Sequence, residues 1–385
     1  MQGLIGPLKE LAEFEELCKN KKKDVGMIRV CGCVNSQKSH MMYALGDGCK
    51  YKVIACSSET KAKQIYEEYR FLDSNTYLYP AKDFLFYQAD IRSKELVKQR
   101  MEGIQAVLSG EPVTVVTSLD GFMDHLAPKE SIAEKVLKVQ NDSVLKLDEM
   151  AEKLSVIGYD REVQVEGPGQ FAVRGGILDI YPLTEELPVR IELWGDEVDS
   201  IRTFDVESQR SIENLMDIVI YPAVEFPQNG EKGVSFLDYF PPEDTILFLD
   251  EPVRLVERGQ NIEDEFMEAQ KKRLESGYDL EEEEAKIFPV TEILKKINCY
   301  SSIGFYALGM KCKGLEVRES YEIQAKSVNP YNNSFEMLTQ DLKRLKRNGY
   351  RVILLSGSRT RAKRLAEDLR DYNLSSYYSE DLDRE

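Results

Sequence analysis

The first part of the chain alternates short apolar runs with runs of helical period. Apolar runs predict strands at Met27–Val34, Tyr51–Cys56 and Pro112–Ser118. A later run, Thr245–Leu249, is assigned to the same sheet. Strands that alternate with helices form parallel sheets covered on both faces, so the pattern predicts an α/β unit. The predicted helices are Leu8–Cys18, Ser39–Leu45, Glu59–Leu72 and Ile91–Leu108.

Residues 158–222 follow a period of two, with glycines at the turns. Val189–Leu193 alternates apolar and charged residues, so one face of this strand is apolar and the other is charged. This pattern predicts a small antiparallel β-rich domain, entered through a helix near Asp148–Ile157. The turns that separate its strands are Gly167–Gly169, Gly175–Gly176 and Gly195–Asp196.

The last part of the chain predicts a charged helical excursion and then a new unit. Residues 252–287 include the acidic run Glu281–Glu284, which is typical of a solvated helix face. A small α/β domain follows, and because it is incomplete we expect the chain to be a piece of a longer protein. Its predicted elements are helices at Phe335–Arg347 and Arg359–Asp371 and strands at Arg351–Leu355 and Ser375–Tyr378.

The length and these changes of pattern divide the chain into four segments. A chain of 385 residues is too long for one ordinary domain. We expect the parallel-sheet domain to cover residues 1–130 and 216–320. The β-rich insertion then covers residues 131–215, and the small α/β domain covers residues 321–385.

The composition is that of an acidic protein from a reducing compartment. A net charge of −17 argues against a broad nucleic-acid-binding surface, which needs a basic footprint. Seven cysteines without regular spacing are typical of reduced thiols, and with only two histidines we expect no metal site. No apolar run reaches the length of a membrane span, and the start lacks the features of a secretory signal, so we expect a cytoplasmic protein.

Cys31–Ser39, between a predicted strand and a predicted helix, resembles a phosphate-binding loop. Its sequence CGCVNSQKS fits the pattern G-x-x-x-x-G-K-[ST] at Gly32, Lys38 and Ser39. Gln37 stands where the pattern has its second glycine, which lets backbone N–H groups close around a phosphate. A glutamine there strains the loop and fills phosphate space.

Asp250 and Glu251 follow an apolar strand and resemble a metal-holding acidic motif. In one interpretation Lys38 binds phosphates, Ser39 and Asp250 surround magnesium, and Glu251 polarises water. In the other, these residues are a degenerate nucleotide site retained for packing, and the chain has no catalytic residues. The missing glycine favours the second interpretation. Helicase-type motors hydrolyse ATP between two α/β domains, the second of which supplies an arginine to the transition state. No complete second domain of this kind is visible in the sequence, which also favours the second interpretation.

Arginines on the β-rich domain offer a site for a partner's carboxylates. If the glycine turn at residues 167–169 joins adjacent strands, Arg161 falls opposite about Gly175 and close to Arg174. Two neighbouring guanidinium groups can bind carboxylates in bidentate geometry, and arginine and aromatic residues are common interface anchors. The nearby aromatic candidates are Tyr181 and Phe171.

A structural role for the same arginines is the alternative. Arginines are ordinary on the solvent face of a half-buried sheet. Arg174 also has an internal partner within reach in Asp179. The residue pattern alone leaves the two interpretations balanced.

The β-rich stretch also carries a family resemblance. PGQFAVRGGILDIYP and the later VRIELWGDEVDSIRTFDVESQRS resemble the bacterial transcription-repair coupling factors (Mfd) and, more distantly, the interaction domain of the excision-repair protein UvrB. The resemblance runs in order from about Gly32 to about Tyr372 and is to the N-terminal region of the coupling factors. It implies a RecA-like sheet of the P-loop NTPase type, similar to the first motor domain of UvrB but with a decayed active site.

The resemblance also implies a partner, because the matching domain of UvrB docks onto UvrA. Arg161 and Arg174 match interface arginines, Tyr181 matches a family aromatic, and Ala172 replaces a further arginine. The implied function is to recruit UvrA to stalled RNA polymerase in transcription-coupled nucleotide excision repair. The chain would be a monomeric, non-catalytic scaffold within an ATP-dependent DNA translocase. RNA polymerase, duplex DNA, ATP and magnesium would bind to regions beyond residue 385.

Two other functions stay open. One is a working nucleotide hydrolase that uses Lys38, Ser39 and the two acidic residues that follow the Thr245–Leu249 strand. The other is a UvrB-like binder of damaged DNA, in which the aromatic residues between Tyr79 and Asp90 stack on bases. The latter stretch is shorter than the hairpin of UvrB, and an acidic chain offers few cations for DNA. Both points favour packing of these rings onto the sheet.

Overall fold

The computed structural model describes residues 5–21, 24–82, 94–227, 230–277, 287–328 and 330–381. The predicted fold class is confirmed, since a parallel-sheet α/β domain is interrupted by a smaller β-rich domain that is mainly antiparallel. Among the described residues, no helix is both long and apolar enough to cross a membrane.

The elements are numbered here in chain order. The first part contains α1 (Ala12–Asn20), β1 (Gly26–Cys31), α2 (Asn35–Leu45), β2 (Tyr51–Cys56), α3 (Glu59–Tyr69), β3 (Thr76–Tyr79), α4 (Lys94–Leu108), β4 (Val113–Ser118) and α5 (Lys129–Glu134). The insertion contains β5 (Leu137–Gln140), α6 (Leu147–Val156), β6 (Asp160–Arg161), β7 (Gln170–Arg174), β8 (Ile177–Tyr181), β9 (Val189–Trp194), β10 (Glu197–Phe204), β11 (Ser211–Leu215) and β12 (Asp217–Ile220). The last part contains β13 (Thr245–Asp250), α7 (Pro252–Glu275), α8 (Val290–Ile297), β14 (Ser301–Tyr306), β15 (Val317–Glu322), α9 (Phe335–Arg347) and α10 (Arg359–Asp371).

The larger sheet has seven strands in the order β15-β1-β14-β13-β2-β4-β3, and every neighbouring pair is parallel. Successive residues of the inner strands enter opposite cores, as Val53 and Ile54 do on β2. Both faces of the sheet are therefore covered, which explains why its inner strands read as continuous apolar runs. The carboxyl ends of β1, β14 and β13 lie side by side.

Three strands of this sheet were not predicted from the sequence: β3, β14 and β15. The signal of β14 is weakened by Gly304, where a Cβ atom would lie 2.6 Å from the Met27 sulfur. The edge strand β15 carries mostly charged and exposed residues, so it lacks an apolar pattern. It continues to Glu322 and therefore crosses the boundary predicted at residue 320.

The insertion is built on a six-stranded sheet in the order β11-β10-β9-β8-β7-β6. One face packs on α6 and on the two-stranded sheet formed by β5 and β12, with Leu154, Ile191 and Ile218 in the shared core. Because β12 closes this core, the unit extends past the predicted end at residue 215. We call the opposite face of the six-stranded sheet the outer face.

The C-terminal segment packs α9 and α10 around Leu342, Leu369 and Leu374. The predicted strands Arg351–Leu355 and Ser375–Tyr378 are not strands, because neither pairs with another strand within the described residues. The acidic run 281–284 lies outside the described residues, and so does the part of the aromatic stretch from residue 83 to residue 90.

Arg100 joins the insertion to the larger domain through buried charges. This fully buried side chain donates to both Glu225 carboxylate oxygens (2.8 and 3.0 Å), to Asp124 Oδ2 (2.7 Å) and to the Pro80 carbonyl (2.8 Å). Lys82 Nζ lies 2.9 Å from Asp124 Oδ2 and 3.0 Å from Glu225 Oε1. Two cations and two anions therefore neutralise one another where the chain returns from the insertion.

We expect Glu225→Gln to lower the free energy of unfolding by about 3–5 kcal/mol, because it leaves two cations with one buried carboxylate. Burial alone would raise the pKa of Glu225, but Arg100 and Lys82 lower it from 4.5 to about 2. Its stabilising effect is therefore complete above pH 4.5 and is lost as the pH falls through about 2. Urea unfolding at neutral and acidic pH measures both effects.

Glu149→Gln, which removes an exposed partner of Lys146, is the control and should change neither the free energy of unfolding nor its dependence on pH. An unfolding free energy that is the same in Glu225→Gln as in the parent would contradict this assignment.

Candidate functional site

The segment that resembles a phosphate loop is too short to surround a phosphate. Strand β1 ends at Cys31 and helix α2 begins at Asn35, before the predicted start at Ser39. Only Gly32, Cys33 and Val34 connect them. The backbone N–H groups of Gln37 and Lys38 donate to the Val34 carbonyl (3.0 and 3.2 Å), so they belong to the helix and do not point at a ligand.

Gly32 makes room for another part of the chain. Its φ is +86°, a conformation that favours glycine, and a Cβ atom here would lie 2.1 Å from the Ile323 carbonyl oxygen. The Ile323 N–H donates to the Cys31 carbonyl (2.9 Å). The backbone that leaves β15 therefore packs directly against the loop.

Lys38 is buried and is held by the two acidic residues at the end of β13. Its Nζ donates to Asp250 Oδ1 and Glu251 Oε1, both at 2.7 Å, and its side chain is 2% exposed. Glu251 Oε1 also accepts from the Ala307 N–H (2.9 Å). Burial lowers the pKa of Lys38, but the two carboxylates outweigh it and raise this pKa above its ordinary value. We call this group the Lys38 ion triad.

The other residues of the predicted site are also engaged. Ser39 Oγ donates to Glu68 Oε2 (2.7 Å), a residue of α3. Gln37 lies in the first turn of α2, and its buried Oε1 has no hydrogen-bond partner among the described residues. In the described part of the chain, this site included, no cluster of three or more His, Cys, Asp or Glu could hold a metal ion.

A second group of charges lies on the outer face of the insertion. Asp179 accepts from Arg190 Nε (2.7 Å) and Nη2 (2.9 Å), and also from Arg174 Nη2 (2.5 Å). The Arg190 guanidinium also lies 4.5 Å from the centroid of the Phe204 ring. Two arginines thus share one carboxylate, and the Arg174 side chain stays 45% exposed. Arg202 pairs with Glu192 beside them.

The predicted approach of Arg161 to Arg174 is wrong. Strand β6 pairs with β7 in parallel, so Arg161 lies opposite Phe171 and not opposite Gly175. Three residues of an extended strand separate that position from Arg174, which is about 10 Å. The glycines at 167–169 end a longer connection between parallel strands, and Arg161 is exposed at the edge of the sheet.

The two aromatic candidates lie on opposite faces. Phe171 is fully buried in the core of the insertion, so it is not available to a partner. It is an odd number of positions from Arg174, and the period of two already places them on different faces. Tyr181 is half-buried, pairs with Gln170 across the strands, and donates from its hydroxyl to the Glu186 carbonyl (2.7 Å).

Comparison with known families shows what the insertion is similar to. A family model described as the UvrB interaction domain matches residues 137–226.

We call residues 137–226 the UvrB interaction domain, after the family model that they match.

The whole chain is similar to longer proteins. The transcription-repair-coupling factor of Bacillus subtilis (strain 168) is 25% identical over 96% of this chain and 36% of its own length. That of Haemophilus influenzae (strain ATCC 51907 / DSM 11121 / KW20 / Rd) is 31% identical over 41% of this chain and 14% of its own length. That of Staphylococcus aureus (strain Mu50 / ATCC 700699) is 35% identical over 41% of this chain and 13% of its own length. The resemblance to coupling factors is thereby confirmed, and this chain spans about a third or less of these relatives.

The UvrB interaction domain contains all four residues predicted to bind a partner. Arg174 and Tyr181 lie on its outer face, Arg161 lies at its edge, and Phe171 lies in its core. Sequence reasoning did not single out Trp194, which the structure leaves exposed on this domain. The sequence feature that could have indicated this exposure is the position of Trp194 next to the predicted Gly195–Asp196 turn.

We expect Lys38→Met to destabilise the fold by about 3–5 kcal/mol, because it leaves Asp250 charged and buried without its cation. The double variant Lys38→Met, Asp250→Leu should recover most of this loss, since it removes the two most deeply buried charges of the triad and leaves only the partly exposed Glu251. Urea unfolding measures the difference. Lys19→Met, at an exposed lysine of α1, is the control. A Lys38→Met protein as stable as the parent would contradict the structural role of the triad.

Proposed function

We propose that the outer face of the UvrB interaction domain docks UvrA, and that this chain serves as a scaffold and not as a catalyst. The observation that carries the proposal is the half-exposed Arg174 on the outer face of a UvrB interaction domain. Arg174 and Arg190 share a single carboxylate, so the group keeps one positive charge. Spare guanidinium N–H groups next to that charge suit a carboxylate of a partner.

The Lys38 ion triad supports the non-catalytic part of the proposal. A nucleotide phosphate would have to displace two carboxylates from the lysine, and the backbone N–H groups of Gln37 and Lys38 are already bonded to the Val34 carbonyl within α2. The second candidate, a nucleotide hydrolase, therefore lacks a free lysine and two of the backbone amides that would bind a phosphate. Binding of damaged DNA has no described residues in its favour, since most of the aromatic stretch lies outside them.

The relatives support a role in repair. In a longer protein of the coupling-factor kind, this module would bring UvrA to a stalled RNA polymerase. The ATP-driven movement on duplex DNA would belong to other parts of that protein. The chain would then contribute recognition alone.

Reversing the charge at Arg161 and Arg174 together should weaken UvrA binding by about 30-fold or more, as expected for interface arginines. Co-purification and biolayer interferometry measure it. The matched control is Arg254→Glu with Arg258→Glu on α7, which changes the net charge equally at two exposed arginines. Undiminished UvrA binding by the Arg161→Glu, Arg174→Glu protein, with the fold intact by circular dichroism, would refute docking through these residues.

ATP with magnesium should neither bind this chain nor raise its melting temperature, because a ligand stabilises the folded state only by binding it. Isothermal titration calorimetry and thermal unfolding measure the two effects. Saturable binding of micromolar affinity would contradict the degenerate site. Magnesium chloride without nucleotide is the control for effects of the ion.

A further inference from the structure

The outer face of the UvrB interaction domain continues to an exposed tryptophan. On β9, Val189 and Ile191 enter the core, so the alternate residues Arg190, Glu192 and Trp194 project to the outer face. Trp194 is the only tryptophan of the chain, and its side chain is 85% exposed. A residue of this size is seldom left so open.

A second apolar side chain lies in the same row. Trp194 pairs with Glu197 across the β9–β10 hairpin, and Glu197 forms a bridge with Val144. Residues directly opposite one another in antiparallel strands have side chains on the same face. Val144 is 77% exposed and lies two strands, or about 10 Å, from Trp194.

Folding of the hairpin does not account for Trp194. The tight turn depends on Gly195, whose φ is +65°, and the hairpin end is packed by Leu193 and Val198 on the inner face. The segment that carries Val144 is held by backbone bonds from Asp142 N–H to the Val198 carbonyl (3.0 Å) and from Val198 N–H to the Ser143 carbonyl (2.9 Å). Neither apolar side chain contributes to these contacts.

Trp194 lies close enough to Arg174 for one partner to cover both. Arg174 pairs with Ile177, and Ile177 pairs with Glu192, two residues before Trp194 on the same face. The separation is therefore two strands across and two residues along, or about 12 Å. A surface of about 800 Å² on one partner covers such a distance.

We infer that Trp194, with Val144 beside it, is the apolar anchor through which the UvrB interaction domain is held by UvrA. This inference rests on the proposed docking function and adds a residue that charge alone does not reveal. Glu197, between the two apolar side chains, is exposed. The matching surface of UvrA is thus an apolar pocket with a basic rim, next to the acidic group that binds Arg174.

Two measurements on the full chain test the anchor. Trp194→Ala should weaken UvrA binding about 30-fold, the loss typical of a buried aromatic anchor. Phe71→Ala, which removes a similarly exposed aromatic (72%) from the larger domain, is the matched control and should bind as the parent does. Incorporation of 7-azatryptophan labels Trp194 alone, and because the emission of this analogue depends strongly on contact with water, it should shift to shorter wavelength when UvrA buries the ring.

The outcomes separate this inference from the docking function. If the parent chain does not bind UvrA, the docking function itself fails. If the parent binds but Trp194→Ala binds equally well, or if the label does not shift on binding, the anchor is refuted and docking through the arginines stands. Weaker binding by Trp194→Ala together with the shift supports the anchor. The thermal unfolding of Trp194→Ala should match the parent, because the side chain is outside the core.

Discussion

The Lys38 ion triad is the constraint on which the centre of the larger domain depends. A lysine buried at the carboxyl edge of a parallel sheet must be neutralised, because an isolated charge there is too costly. Asp250 and Glu251, at the end of β13, supply the compensating negative charge. Glu251 also accepts a hydrogen bond from the backbone after β14. The same contacts that stabilise α2 against β13 and β14 therefore occupy the groups that a nucleotide would need.

The insertion uses its charges in another way. Asp179 is nearly completely buried and is bound by two arginines, one of which remains half-exposed. The internal pairing of Arg174 and its availability to a partner are therefore compatible, although the sequence presents them as alternatives. A carboxylate that fixes an arginine in place also reduces the entropy that the arginine loses when it binds.

Local pattern predicted the elements with a clear apolar signal and missed relations between distant residues. The runs at Tyr51–Cys56 and Thr245–Leu249 are strands of one parallel sheet, as their apolar character indicates. Gln37 signalled a defective loop, but the early start of α2 and the packing of Ile323 on Gly32 depend on segments far apart in the chain.

The pairing of β6 shows the same limit. Glycines at residues 167–169 indicate a turn, yet glycine alone does not specify which strands the turn joins. The parallel pairing depends on the path of the whole connection between β6 and β7, and it places Arg161 opposite Phe171 and not opposite Gly175. By contrast, the burial of Phe171 was available from the period of two, since it shares no face with Arg174.

The position of Glu225 affects how far the UvrB interaction domain can be treated as a separable module. The family match ends at residue 226 and so includes Glu225, whose carboxylate neutralises Arg100 in the neighbouring domain. Excision along the family boundary would leave Arg100 and Lys82 with Asp124 alone, inside a core built for two carboxylates. The evolutionary unit and the folding unit thus differ by one acidic side chain, and a transplanted domain should end before Glu225 if its former host is to remain folded.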